Sequence, residues 1–116
     1  MRTKITLTGV PLSVNHLYKR GRHGGVYMTQ EGKDLKEMWM YEVMQQWKEA
    51  MITEPVAVEV IIYWPDKRKR DNDNALKLIF DCMQGRVYED DNQIEEHNVK
   101  KFYGSKDPRV ELTIVA

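Results

Sequence analysis

Apolar and polar residues alternate along several stretches of the chain and recur at helical spacing along two others. Residues 3–9 alternate around Ile5 and Leu7 and predict a half-exposed strand that ends at Gly9-Val10-Pro11. Residues 56–64 set Val56, Val58, Val60 and Ile62 on one face and Ala57, Glu59, Ile61 and Tyr63 on the other. β-branched residues dominate there and no proline intervenes before Pro65, which predicts a central strand. Residues 94–103 are polar but extended in character, and residues 110–115 alternate cleanly through Val110, Leu112 and Ile114. Between them Gly104 to Pro108 reads as a hairpin loop.

The longest helical pattern covers residues 29–51. Thr29 is placed as its N-cap, and Leu35, Trp39, Val43 and Trp47 recur every four residues. Met40, Met44 and Met51 widen the apolar face, and core packing is the expected role of the Trp and Met positions. A second helix is predicted over residues 74–84, buried through Leu76, Ile79, Phe80 and Met83 and capped by Gly85. The order is β-α-β-α-β-β. This predicts an α+β fold with a single mixed β-sheet and helices packed on it, in one domain spanning residues 1–116.

Composition narrows the function classes. The 116 residues carry 18 basic and 18 acidic side chains, so the formal net charge is zero and a diffuse polycation is excluded. The charges are segregated, however. Residues 67–70 are an unbroken basic run, and residues 89–96 hold five acids and no base. A single cysteine, Cys82, excludes an internal disulfide framework. No apolar run is long enough to span a bilayer, and no apolar segment follows Arg2 and Lys4 as a signal peptide requires. No membrane partner is expected, and the expected location is the cytoplasm.

The candidate chemistry lies between Arg70 and Asp91. Asp71 and Asp73 are two residues apart, so in an extended segment they project together, just ahead of a helix. Lys77 follows Asp73 by four residues and can face the same site. Asp90 and Asp91 arrive after the helix, and bringing Asp91 to the first pair requires residues 86–89 to run back beside it. If three carboxylates converge, two of them about 4 Å apart repel by about 4 kcal/mol at an effective dielectric near 20, and a divalent cation offsets this. Oxygen-only ligands suit Mg2+, Mn2+ or Ca2+ rather than zinc. A second reading stands beside this one: Asp71 and Asp73 cap the helix, and Asp73, Lys77 and Asp81 form a surface ladder of ion pairs.

Residues 12–25 lose all periodicity and read as a basic loop containing Asn15, Tyr18, Lys19, Arg20 and Arg22. Such a loop is either solvated and frayed or an arm that contacts nucleic acid, with Tyr18 available to stack and the basic residues available to phosphates.

The segment Asp71-Asn-Asp-Asn-Ala-Leu-Lys77, followed by Asp81, Gly85-x-Val-Tyr88 and Asp90-Asp91-x-Gln93, resembles the RusA family of Holliday-junction resolvases. Pro11-x-Ser13-x-Asn15-x-x-Tyr18 and Tyr27-x-Thr29 agree with the same family. The resemblance implies a homodimeric, Mg2+-dependent endonuclease, with Mn2+ as an alternative ion, making paired nicks in four-way junction DNA during recombination and repair in bacteria and their prophages. It implies Asp71, Asp73 and Asp91 as metal-binding catalytic acids, with Asp90 and Lys77 assisting. Lys67, Arg68, Lys69 and Arg70 are expected to flank the pocket and hold the DNA backbone. The alternatives are a metal-dependent nuclease on other branched or single-stranded DNA, and a non-catalytic DNA-binding module.

Overall fold

A β-branched strand, β4 (Val56–Tyr63), forms the middle of the fold because both of its edges are taken. The computed structural model describes residues 1–116 except Lys69 and Asp71, and except the side chains of Val14, Asn72 and Asp73. In chain order the remaining elements are β1 (Arg2–Thr8), α1 (Val14–Leu17), β2 (Tyr18–Arg20), β3 (Val26–Met28), α2 (Gln30–Gln46), α3 (Asn72–Met83), a 3-10 turn (Asp91–Gln93), β5 (Ile94–Phe102) and β6 (Arg109–Val115). The main sheet has four strands in the order β1-β6-β4-β5, and β2 and β3 form a separate two-stranded hairpin. The α+β class and the mixed sheet agree with the sequence pattern. The hairpin and the short helix α1 were not anticipated, since strands of three residues carry too little periodicity to register.

Alternation along the strands builds the core. Val56, Val58, Val60 and Ile62 are buried, as are Ile5 and Leu7 of β1 and Val110, Leu112 and Ile114 of β6. Against this face lie Trp39 and Val43 of α2 and Leu78, Ile79, Cys82 and Met83 of α3. Burial of each large apolar side chain here contributes about 1.5–3 kcal/mol. The opposite sheet face is open, with Glu59 and Thr113 paired at its centre. No helix among the described residues is long and apolar enough to cross a membrane.

The residues expected as a hairpin loop between the last two strands do something else. β5 pairs with β4 in parallel, and β6 pairs with the other edge of β4, antiparallel. The two strands are therefore separated by β4, and the segment between them passes over its end. Trp64 N–H donates to Phe102 O at 2.8 Å and Trp64 O accepts from Ser105 N–H at 3.0 Å, which fixes that crossing.

Helix α2 begins at the expected cap. Thr29 Oγ1 accepts from Gly32 N–H at 3.0 Å and donates to His16 O, while Thr29 N–H donates to Leu17 O at 2.7 Å. One buried threonine thus joins α1 to α2. The helix ends at Gln46 rather than near Met51, because Trp47 turns extended and Ile52 N–H is needed by Val87 O at 2.8 Å. The methionines expected in the core are exposed: Met40, Met44 and Met51 lie outside the stripe of Trp39, Val43 and Trp47. On the polar side, α2 shields the free edge of β1. Gln46 accepts from Thr6 N–H and donates to Thr6 O, both at 2.8 Å, and Glu42 accepts from Thr8 N–H at 3.0 Å. An edge strand bonded in this way cannot template another chain.

Helix α3 starts earlier than predicted, at Asn72, and its buried stripe is Ala75, Leu78, Ile79, Cys82 and Met83, with Leu76 and Phe80 half-buried. Gly85 ends it in the left-handed conformation at φ 85°. Burial pushes the Cys82 thiol up to about 12, leaving it unreactive.

Thr29→Val keeps the shape of the cap residue and removes its hydroxyl. The expected loss is about 1–2 kcal/mol of unfolding free energy, read from the urea midpoint at unchanged slope.

Candidate functional site

The acidic stretch is the crossover that joins two parallel strands, so its two ends lie at the two ends of α3. Asp73 stands on the first turn of α3. Its side chain lies outside the described residues, as does the whole of Asp71.

At the far end the chain leaves α3 through a tight turn. Tyr88 is buried and its hydroxyl donates to Phe80 O at 2.6 Å. Asp90 then caps the 3-10 turn by accepting from Asn92 N–H at 3.0 Å. Gln93 holds the turn with its whole amide. Its Oε1 accepts from Glu89 N–H at 2.9 Å and Asp90 N–H at 3.0 Å. Its Nε2 donates to Ile52 O at 2.8 Å and Glu54 O at 3.0 Å. Asp91 N–H donates to Gln84 Oε1 at 3.2 Å.

Asp91 is thereby set beside the last turns of α3. Its carboxyl is held above the ordinary value of 3.8, first by partial burial, then by the hydrogen bond with Asp90 and the charges of Asp90 and Asp81, with Lys77 opposing. Asp81 and Asp90 are therefore electrostatic neighbours of Asp91, and the Lys77 charge acts on it in the opposite sense. No ion pair joins Lys77 to Asp81 among the described residues, and the Asp73 end of the expected ladder lies outside them. The eight residues from Asp73 to Asp81 rise about 12 Å along the helix. The return of residues 86–89 brings the backbone of Asp91 to Gln84, just past the end of α3. Donors made only of oxygen, short of positive charge, suit a hard cation. Among the described residues, no three His, Cys, Asp or Glu side chains lie close enough to hold one.

The basic residues divide into two groups. Lys67 is exposed, and Arg68 has 82 % of its side chain in solvent. Lys69 lies outside the described residues. Arg70, expected beside them as a backbone ligand, is instead folded inward with 18 % of its side chain exposed. Its guanidinium stacks 4.1 Å over the Trp64 ring and donates to Asp66 Oδ1 at 2.6 Å. It also donates to the carbonyls of Asp66 and Arg68, both at 3.1 Å. This clasp ties Arg70 back to Trp64, Asp66 and Arg68 ahead of α3.

The loop expected to be irregular is the β2–β3 hairpin. Its tip is closed by Gly21 N–H donating to Gly25 O at 2.5 Å, with Gly24 at φ 87°. Asn15, Lys19, Arg20 and Arg22 are exposed on or beside it. Tyr18 is half-buried and packs against the core. Tyr27, opposite Lys19 and 53 % exposed, is the aromatic the hairpin presents. Gln93 and Tyr27 are residues whose roles the sequence pattern did not identify. For Gln93 the signal was the Asp90-to-Gln93 spacing of a capping box.

The Arg70 clasp has a pH signature. The Arg68 N–H and the Arg70 guanidinium hold the Asp66 carboxyl below its ordinary value of 3.8. A lowered folded-state value means that the stabilisation is complete above 3.8 and fades as pH falls through the lower value. Arg70→Ala is expected to lower the melting temperature by several degrees at pH 7, with a gap to the parent that narrows below pH 4. Thermal scans across that range check it, with Arg68→Ala as the nearly silent control.

With the geometry in place, comparison with known proteins gives a consistent result. The family model described as endodeoxyribonuclease RusA matches residues 9–115. A crossover junction endodeoxyribonuclease RusA of Aquifex aeolicus is 30% identical over 106 residues, covering 90% of this chain and 84% of its own. The protein of that name in Escherichia coli (strain K12) is 29% identical over 101 residues, covering 86% of this chain and 84% of its own. The uncharacterized protein YqaN of Bacillus subtilis is 30% identical over 134 residues, covering 96% of this chain and 94% of its own. A match that runs through both ends of the acidic crossover and through β4, β5 and β6 is decisive: the chain belongs to the RusA endodeoxyribonuclease family.

Proposed function

We propose that this chain is a structure-selective endodeoxyribonuclease that resolves four-way DNA junctions by paired, metal-dependent nicks in recombination and repair. It works as a homodimer, one site per scissile strand, in the cytoplasm. The observation that carries this reading is the family match over residues 9–115, with relatives named crossover junction endodeoxyribonucleases over most of the chain. The acidic neighbourhood of Asp91, where Lys77 offsets the repulsion, supports it.

In this reading Asp71, Asp73 and Asp91 hold Mg2+ or Mn2+, and Asp90 assists. A bound divalent cation supplies Lewis-acid chemistry at the scissile phosphate. The chain's own residues do the rest. Lys77 Nζ compensates the negative charge that develops on the phosphate oxygens. Lys67, Arg68 and Lys69 hold the DNA backbone, and the hairpin adds Lys19, Arg20 and Arg22, with Tyr27 as a stacking face. Such contacts position a duplex arm without reading its sequence. The Arg70 clasp holds the Arg70 side chain against Trp64 and Asp66, away from the DNA backbone that Lys67 and Arg68 face.

Incubation with a labelled four-way junction, with and without Mg2+, tests substrate, reaction and cofactor together. Symmetric nicks that depend on the ion are expected, and faster cutting of a matched flap or single strand would reassign the substrate. Asp71→Asn is expected to lower cleavage by at least about a hundredfold with junction binding retained. Undiminished cleavage would remove Asp71 from the site.

Binding is expected to weaken steeply with salt. Lys67→Ala and Arg68→Ala should each reduce the log–log salt slope by about 1 without changing the cleavage pattern. Junction binding titrated between 50 and 200 mM salt checks this, roughly the range over which such contacts lose most affinity.

A further inference from the structure

The open face of the main sheet carries an aromatic column at one end. Tyr63 of β4 points to this face, because Val60 and Ile62 take the buried one. In the register of the sheet, Tyr63 lies between Arg109 of β6 and Phe102 of β5. The three side chains stack in that order. The Arg109 guanidinium lies 3.8 Å over the Tyr63 ring, and the Tyr63 and Phe102 rings are 5.4 Å apart and 18° from parallel.

The inner end of the column is locked. Arg109 donates to Glu111 Oε2 at 2.9 Å and to Asp107 O at 3.0 Å, and the Tyr63 hydroxyl donates to Glu111 Oε1 at 3.3 Å. The outer end is Phe102, with 50 % of its surface in solvent. It stands on the strand whose second edge no other strand takes among the described residues. A fixed stack that ends in an exposed ring is a surface for one more flat ring.

Charge and position say which ring fits. Lys100 precedes Phe102 by two residues on the same open face, aligned with Ile61. Lys106 is exposed on the segment that crosses the end of β4. Among the described residues no ion pair takes up either lysine, whereas Glu111 and Asp107 both pair with Arg109. The uncompensated charge around the ring is therefore positive, which suits a phosphate-bearing strand. Phe102 O accepts from Trp64 N–H at 2.8 Å, and Trp64 is the ring under the Arg70 guanidinium. The column thus stands at the end of β4 from which the exposed Lys67 and Arg68 follow.

We propose that Phe102 is a stacking site for an unpaired base of the substrate DNA, with Lys100 and Lys106 taking the adjoining phosphates. The identity of the substrate rests on the nuclease reading, and the stacking surface rests on its own geometry. Arg109 and Glu111 hold Tyr63 in place before DNA arrives, so the base meets a column that needs little further ordering. Every base has a π-face, so the contact favours unpaired DNA over plain duplex without reading sequence.

Binding without cleavage tests it. The probe is a single-stranded oligonucleotide carrying 2-aminopurine, whose fluorescence is quenched by stacking, titrated with the full chain in EDTA. The parent is expected to quench it. Phe102→Leu keeps the apolar bulk and removes the aromatic face; it should lose the quenching and bind about tenfold more weakly. Phe102→Trp should quench at least as strongly as the parent. Lys100→Ala and Lys106→Ala should weaken binding and leave the quenching at saturation unchanged. Met44→Ala, which truncates an exposed side chain on α2, is the silent control.

A Phe102→Leu chain with the parent's urea midpoint that binds and quenches unchanged overturns the proposal. So does a Phe102→Leu chain altered only in sedimentation, since Phe102 is then a protein contact. Lost quenching in a folded Phe102→Trp chain overturns it equally, whatever the stability of the leucine variant. A parent that quenches the probe but cuts no four-way junction defeats the nuclease reading and leaves the stacking site. A parent that cuts junctions but does not quench the probe defeats the stacking site and leaves the nuclease reading.

Discussion

Parallel neighbours in a sheet cannot be joined by a tight turn, and that constraint on β4 and β5 shapes the rest of the molecule. The chain must leave the end of β4, travel back along the sheet and enter β5 from its start. Helix α3 is that return path, and its apolar stripe covers the strands it connects. The acidic residues lie at the ends of the path. Their separation is therefore set by helix length and strand direction, not by local sequence spacing.

Each end of the crossover is held by a different device. At the start, the guanidinium of Arg70 is stacked on Trp64 and bonded to Asp66, so a basic run that reads as uniform is divided in function. Arg68 faces solvent, whereas Arg70 is structural. At the finish, one amide side chain, Gln93, uses donor and acceptor atoms alike to tie residues 89 and 90 to Ile52 and Glu54. Polar side chains that satisfy several backbone groups in this way specify a loop conformation more tightly than apolar packing does. The acidic turn is therefore anchored to the β4 entry, and Asp91 inherits that placement.

The two long edges of the sheet are treated differently. On β1, Gln46 and Glu42 bond the backbone groups of Thr6 and Thr8. On β5, no strand takes the second edge among the described residues. The same asymmetry appears on the surface of α2. Its methionines remain exposed because the sheet needs only the narrow stripe of Trp39, Val43 and Trp47.

Several features were determined by the sequence alone. Period-two alternation identified β1, β4 and β6, since the side-chain faces of a strand are a local property. Thr29 announced the start of α2 and Gly85 the end of α3, because capping depends on a few adjacent residues. The motif from Asp71 to Gln93 pointed to the family. Strand partners did not follow from the pattern. β5 and β6 are joined by a short polar loop and look like a hairpin, yet β4 lies between them, because pairing is settled by which edges are free. The fate of Arg70, the exposure of the methionines and the placement of Asp91 beside the end of α3 belong to the same class. Each depends on residues distant in the chain coming into contact, and only the tertiary structure decides that.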